Sequence, residues 1–209
     1  MTTNTSSLTP TLDEQLAIDD AAAALLFTEA RSAHSFTGEP VSPEQLRAIY
    51  ELSKLPPTAA NTSPLRIVFV DSPEARARLV DHVSDGNRAR VAQAPAVAVL
   101  AADLDFHEHI PQLFPARAEM REGFAGDDDL RERHARFNAT LQIGYFLMAV
   151  RAAGLDAAPM AGFDAAAVER ELFPDGRRRV LLVVPIGHAE EPRFERLPRL
   201  GYDQAVRHV

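Results

Sequence analysis

Hydrophobic positions fall into two kinds of run along this chain. Short continuous apolar stretches, RIVFV from Arg66, PAVAVLAA from Pro95 and RRVLLVVPIG from Arg178, read as strands buried on both faces. Around them lie segments with apolar residues at helical spacing. SPEQLRAIYELSKL combines Ser42 as cap, Pro43 in the first turn, Gln45 to close a capping box, and Leu46, Ile49 and Leu52 along one face. DSPEARARLVDHV repeats the cap-then-proline start at Ser72 and Pro73, and Asp164 stands as a cap before AAAVERELF. LAIDDAAAALLFTEARS predicts a helix reaching about Ser32. The longest helical pattern, LRERHARFNATLQIGYFLMAVRAAGLD, stops at Gly154 with Leu155 behind it, as a left-handed glycine cap requires.

Between Asp103 and Asp129 the pattern breaks into charged and aromatic residues with Pro111 and Pro115, which predicts an irregular or partly helical insertion able to serve as a lid. No repeat period occurs. Helices outnumber short apolar strands, so the expectation is one sheet with helices on both faces. The expected organisation is a loose tail over 1–12 and a single domain over 13–209.

Composition narrows the function classes. A chain of 209 residues that is 46% hydrophobic supports one core burying roughly 70% of the unfolded surface. A net charge of -8, from 22 basic and 30 acidic residues, argues against nucleic acid as a partner, since no basic run tracks a phosphate backbone. The absence of cysteine removes disulfides, thiolate metal sites and a cysteine nucleophile. MTTNTSSLTPTLDEQ has neither a basic start nor an apolar segment, so no signal peptide or membrane anchor is expected there, and a cytoplasmic location is. The ten glycines are never two apart and no P-loop pattern or G-x-S-x-G elbow occurs, which removes the commonest nucleotide and hydrolase signatures. His107 and His109 with His134 could meet at a metal only if the fold converged them; the expectation is a solvated polar loop and no metal.

Polar clusters at element ends remain. ARSAHSF carries Arg31, Ser32 and His34 where a helix ends, either around one anion or as cations answering the helix dipole. LPPTAANTSPLRIVFV packs Pro57, Thr58, Asn61 and Ser63 in front of a strand, either as a plain turn or facing a ligand. DGNRAR spaces Asn87 and Arg90 to read a polar heterocycle edge or to stand in solvent, and PMAGF places Met160, Ala161 and Gly162 where backbone can approach a flat ligand or simply turn.

Taken in order, Arg-Ser-x-His-x-Phe, Pro-Thr-x-x-Asn-x-x-Pro before a strand, Asn-x-x-Arg, a long helix ending Ala-x-Gly-Leu, Pro-Met-x-Gly-Phe-Asp, a strand ending Ile-Gly and a late Arg, the chain resembles the nitroreductase family of flavin enzymes. SPLRIVFV, IPQLFP and RLPRL resemble most its branch of malonic semialdehyde reductases of pyrimidine degradation. The resemblance implies an α+β fold of three α/β/α layers, a central mixed sheet flanked by helices, and an intertwined homodimer with one FMN per shared site. By position, Arg31 and Ser32, with His34 beside them and Arg196 and Arg199 from the tail, would hold the FMN phosphate. Pro57, Thr58, Asn61 and Ser63 would face the isoalloxazine ring from the partner. Asn87 and Arg90 would meet its pyrimidine edge, and Met160, Ala161 and Gly162 its reactive nitrogen. Three positions depart from the family pattern, which often has arginine at His34, glutamine at Ser63 and glutamate at Ala161.

The implied reaction is ping-pong hydride transfer from NADH or NADPH through FMN to an acceptor, with no side chain assigned as a catalytic acid. The branch resemblance implies reduction of 3-oxopropanoate to 3-hydroxypropanoate; Arg117 and Arg121, beside Phe114 and Phe124, either read its carboxylate or balance the acidic run Asp127 to Asp129. The alternatives are a general nitro or quinone reductase and a flavin-binding module without turnover.

Overall fold

A computed structural model of the chain describes residues 16–190 and 195–209; the tail expected over 1–12 lies outside them. Among the described residues four strands form one sheet in the order β1-β2-β4-β3, with β1 at Leu65–Phe69, β2 at Ala96–Asp103, β3 at Asp156–Ala157 and β4 at Arg178–Gly187. All four are paired antiparallel. The mixed character of the sheet lies at its β3 edge, where Ser32 forms a parallel bridge with Ala157.

Alternate residues of the central strands supply two cores, because successive side chains point to opposite faces. Val97, Val99, Ala101, Val180 and Val183 pack with Leu79, Val91 and Val168, which come from α3 (Pro73–His82), α4 (Asp85–Gln93) and α8 (Ala165–Leu172), and with Val83 just after α3. On the other face Ala98, Leu100, Val184 and Ile186 pack with Ile49, Ile143, Phe146 and Val150, from α2 (Pro43–Ser53) and α7 (Asp128–Ala152). Every residue of β2 is buried. These are the three layers expected.

The start and stop signals act as read. Ser42 and Gln45 exchange both bonds of a capping box, Ser72 accepts from the Ala75 amide, and Asp164 accepts from the Ala167 amide. Gly154, at φ 75°, follows the end of α7.

One expectation needs correction. The first helix, α1 (Asp20–Ala23), runs into a π-helical turn that ends at Thr28, so Arg31 and Ser32 lie beyond it. Extending the backbone there lets Ser32 reach the β3 edge, and sheet pairing outweighs helix propensity. The insertion, expected as irregular or partly helical, is a series of short turns, with α5 at Ile110–Leu113 and α6 at Met120–Ala125. Phe106, Ile110 and Phe124 fill a third core with Ala102, Ala135 and Ala139, and burying those aromatics holds the segment against α7.

Candidate functional site

The π-helical turn after α1, the segment leaving it and the late tail meet at a cavity of about 850 Å3. Arg31, Ser32, His34, Arg196 and Arg199 line it on one side, and Leu147, Met148 and Pro159 give it an apolar wall. Arg31 donates to the carbonyl oxygens of Thr28 (2.8 Å) and Ala30 (3.0 Å). Arg196 reaches the same chain end, donating to Phe27 (2.6 Å), Thr28 (3.1 Å) and Ala30 (2.9 Å). The carbonyls left open by the end of the helical turn therefore hold two guanidinium groups together, as orphan C-terminal carbonyls attract cations. Desolvation, then the like charges of Arg31 and Arg199, lowers the Arg196 pKa from its ordinary value. Cations held in mutual repulsion beside an open cavity favour an anion between them.

Sequence reasoning missed Arg151, Leu147 and Met148, which also line this cavity. Arg151 lies in the last turn of α7, donates to the Leu25 carbonyl (3.1 Å) and pairs with buried Asp156, whose other oxygen accepts from the Ala189 amide (3.0 Å). Its position in the chain carries no motif; only packing of α7 on β3 brings it here.

A second group forms where α4 starts. The Ser84 amide donates to the Gly162 carbonyl (2.9 Å), and Asn87 Nδ2 donates to that carbonyl at 3.1 Å. Arg90 donates to Asn87 Oδ1 (3.1 Å). The amide of Asn87 is thereby fixed in orientation, and Met160 is tied to β4 by a bridge with Val183. A Cβ on Gly162 would stand 2.6 Å from Ser84 Oγ and 2.9 Å from Asn87 Nδ2, so a side chain there would push those two polar groups out of place. Asn87 thus links Arg90 and Gly162, and Ala161 is exposed beside them.

A third group is the loop before β1. Ala60, Asn61 and Ser63 have φ of 54°, 53° and 42°, a left-handed conformation that costs non-glycine residues free energy and that gathers at functional sites. Thr58 Oγ1 accepts from the Ser63 amide (3.1 Å) and Asn61 donates to the Leu113 carbonyl (2.8 Å). Pro57 and Asn61 are exposed, whereas Thr62 is buried. None of the loop's residues lines the cavity within this chain.

The substrate residues expected in the insertion are not gathered in this way. Arg117 pairs with Glu119 (2.7 Å) and Arg121 with Glu108 (2.8 Å); neighbouring carboxylates satisfy both guanidinium groups. Phe124 is only 7% exposed, in the core, and Phe114 is half-buried at a turn. The histidines are also placed differently from a solvated loop. His107 is buried, with Nε2 3.4 Å from Glu108; His134 stacks on Phe106 at 5.0 Å, and His109 is exposed. Among the described residues no group of His, Cys, Asp or Glu is arranged to hold a metal ion, and no helix is long and apolar enough to cross a membrane.

An antiparallel sheet between helical layers, with a cation-lined cleft at its β3 edge, defines an α+β protein whose cavity sets guanidinium groups against an apolar wall. The chain belongs to the nitroreductase family, whose profile matches residues 28–188. It is 52% identical over 192 residues to a Streptomyces coelicolor protein provisionally named NADH dehydrogenase/NAD(P)H nitroreductase, covering 91% of this chain and 97% of that one. A protein of the same provisional name from Leptothrix cholodnii is 47% identical over 190 residues, covering 90% and 96%. The fold matches a provisionally named nitroreductase from Exiguobacterium sibiricum, solved in complex with FMN, at a TM-score of 0.80 and 18% identity, over 92% of this chain and 98% of that one.

Proposed function

We propose that this protein is an FMN-dependent NAD(P)H oxidoreductase that reduces nitro or quinone acceptors, working as a homodimer with shared sites. The observation that carries the reading is the cavity, where Arg31, Ser32, His34, Arg196 and Arg199 face an apolar wall. Its volume of about 850 Å3 lies within the range of small-molecule sites, and its lining fits a phosphate at one end and a flat apolar ring along the other. The relatives' provisional names and the FMN of the Exiguobacterium structure point the same way.

FMN would supply the hydride chemistry, passing two electrons from the nicotinamide to the acceptor. The chain's own residues bind and orient. Arg31 and Arg199 give charge-assisted bonds to the phosphate, with Ser32 as a neutral donor. Arg196 secures the tail. Asn87 and Arg90 address the polar edge of the ring, and Gly162 lets the backbone come close. Pro57, Thr58, Asn61 and Ser63 reach the ring of the other protomer.

The narrower reading, reduction of 3-oxopropanoate to 3-hydroxypropanoate, rests on the resemblance of SPLRIVFV, IPQLFP and RLPRL. The carboxylate partners of Arg117 and Arg121 favour the general reductase over it. Oxidation of NADH and NADPH by the purified protein should be fast with nitroaromatics and quinones, and the flavin released on heating should be FMN. A protein that neither contains nor takes up FMN overturns the reading. Faster turnover of 3-oxopropanoate than of any quinone would establish the narrower one.

A further inference from the structure

Three polar residues of α7, two buried and one half-buried, have no part in the site described so far. His134, Asn138 and Gln142 stand four residues apart, so they lie one above another on a single helical face. Asn138 and Gln142 are 1% and 3% exposed, although buried amides are uncommon unless their bonds are made. All three side chains read the backbone or side chains of one segment. Asn138 Oδ1 accepts from the Ala59 amide (2.7 Å), and its Nδ2 donates to the His134 carbonyl (2.9 Å). Gln142 Oε1 accepts from the Leu65 amide (2.9 Å). His134 Nε2 stands 3.1 Å from Thr62 Oγ1, which itself donates to the Ala59 carbonyl (3.0 Å). With the Thr62 hydrogen directed at Ala59, Nε2–H donates to Thr62. Phe106 and Phe124 clamp the imidazole at centroid distances of 5.0 and 4.6 Å.

The segment held by these bonds is the one with three left-handed non-glycine residues, Ala60, Asn61 and Ser63. Such a conformation persists only where surrounding contacts over-determine it. The anchors fall on either side of the strained residues: Ala59 before them, Thr62 within them and Leu65 after them.

We infer that His134, Asn138 and Thr62 are positioning residues, which hold the Thr58–Ser63 loop in its left-handed shape so that Asn61 and Ser63 are presented to the cofactor of the neighbouring protomer. The inference deepens the reading of the site as an FMN site and rests on it. The residues touch no ligand themselves; they act through the loop. Gln142 fixes the start of β1 and sets where the loop must end.

The test uses the holoenzyme and FMN released on dilution, followed by flavin fluorescence, beside thermal melting of each variant. The Asn138→Ala substitution should weaken FMN binding about tenfold, the worth of one buried hydrogen bond. Adding Ala60→Gly to it should recover at least about threefold of that loss, because glycine adopts the left-handed conformation without a Cβ penalty. Thr62→Val keeps the volume, removes the hydroxyl, and should show the same loss and the same rescue; it decides the matter if Asn138→Ala does not fold. FMN binding unchanged in both single variants, or a loss that Ala60→Gly does not recover, overturns the inference, since a merely structural role would lower the melting temperature without rescue. A parent protein that holds no FMN overturns the underlying reading, an outcome distinct from parent binding that the variants leave unaltered.

Discussion

Arg31 and Arg196 both donate to the carbonyls of Thr28 and Ala30, but only Arg31 was placed by a motif at the turn itself. Changing Arg31 and Arg199 together to Ala should give a colourless protein, because each charge-assisted bond to a phosphate contributes roughly 1.5–3 kcal/mol. Stoichiometric FMN in the purified double variant would dismiss the phosphate assignment. A second prediction concerns His134, whose burial lowers its pKa below the ordinary 6.5. Between the lowered and ordinary values the unfolded chain binds more protons than the folded one, so stability falls as pH drops through about 6.5 and is fully present above it. The nearby titratable groups are His107, edge-on to Phe106, and Glu108 beside it. His134→Gln should lose less melting temperature between about pH 7 and pH 5.5 than the parent; parallel slopes would assign the acid sensitivity elsewhere.

At the scale of elements, caps, the three longer strands and the Gly154 stop were legible because each depends on residues within a turn of one another, whereas the two-residue β3 was not. Ser42, Ser72 and Asp164 needed no tertiary partner to act. The end of α1 was misread because Ser32 is taken by Ala157, a strand partner far along the chain. The polar stripe of α7 was invisible as HARFNATLQ, since nothing local says that its amides answer a strained loop. The close seating of β4 gives a third prediction. A Cβ on Gly187 would stand 2.7 Å from Pro95 Cδ and 3.1 Å from Phe36 Cδ1, so Gly187→Ala should cost about 1–3 kcal/mol by overpacking. Urea melts with an unchanged midpoint would mean that Pro95 and Phe36 can move aside.

At the scale of the molecule, α7 buries Ile143, Phe146 and Val150 yet leaves Phe137, Leu141 and Tyr145 exposed at 65%, 44% and 50%. These three lie four apart on one stripe, and Tyr50 and Leu55 are exposed on and just after the α2 helix that packs with α7. An apolar face of that kind suits a second copy of the chain. Phe137→Glu with Tyr145→Glu should convert a dimer into a monomer on light scattering and release FMN with it. A parent monomer that holds FMN would refute the shared site. Mixing Arg31→Ala chains with Asn61→Ala chains should restore partial activity, since one of the two sites in each mixed dimer keeps both residues. No activity above that of either variant alone would place Arg31 and Asn61 in the same chain's site.

By itself the sequence determined the layered class of the fold, the two-faced burial of β2 and β4, and most helix limits. Those follow from periodicity and short-range chemistry, which the chain carries locally. Tertiary structure alone decided that Arg151 joins the cavity, that Arg117 and Arg121 are satisfied by Glu119 and Glu108, and that His107 is buried. It also decided that His134, Asn138 and Gln142 clasp the loop before β1. Each of these depends on which charges and amides become neighbours after distant segments pack, and hydrogen bonds and ion pairs act only over contact distances that linear order does not record.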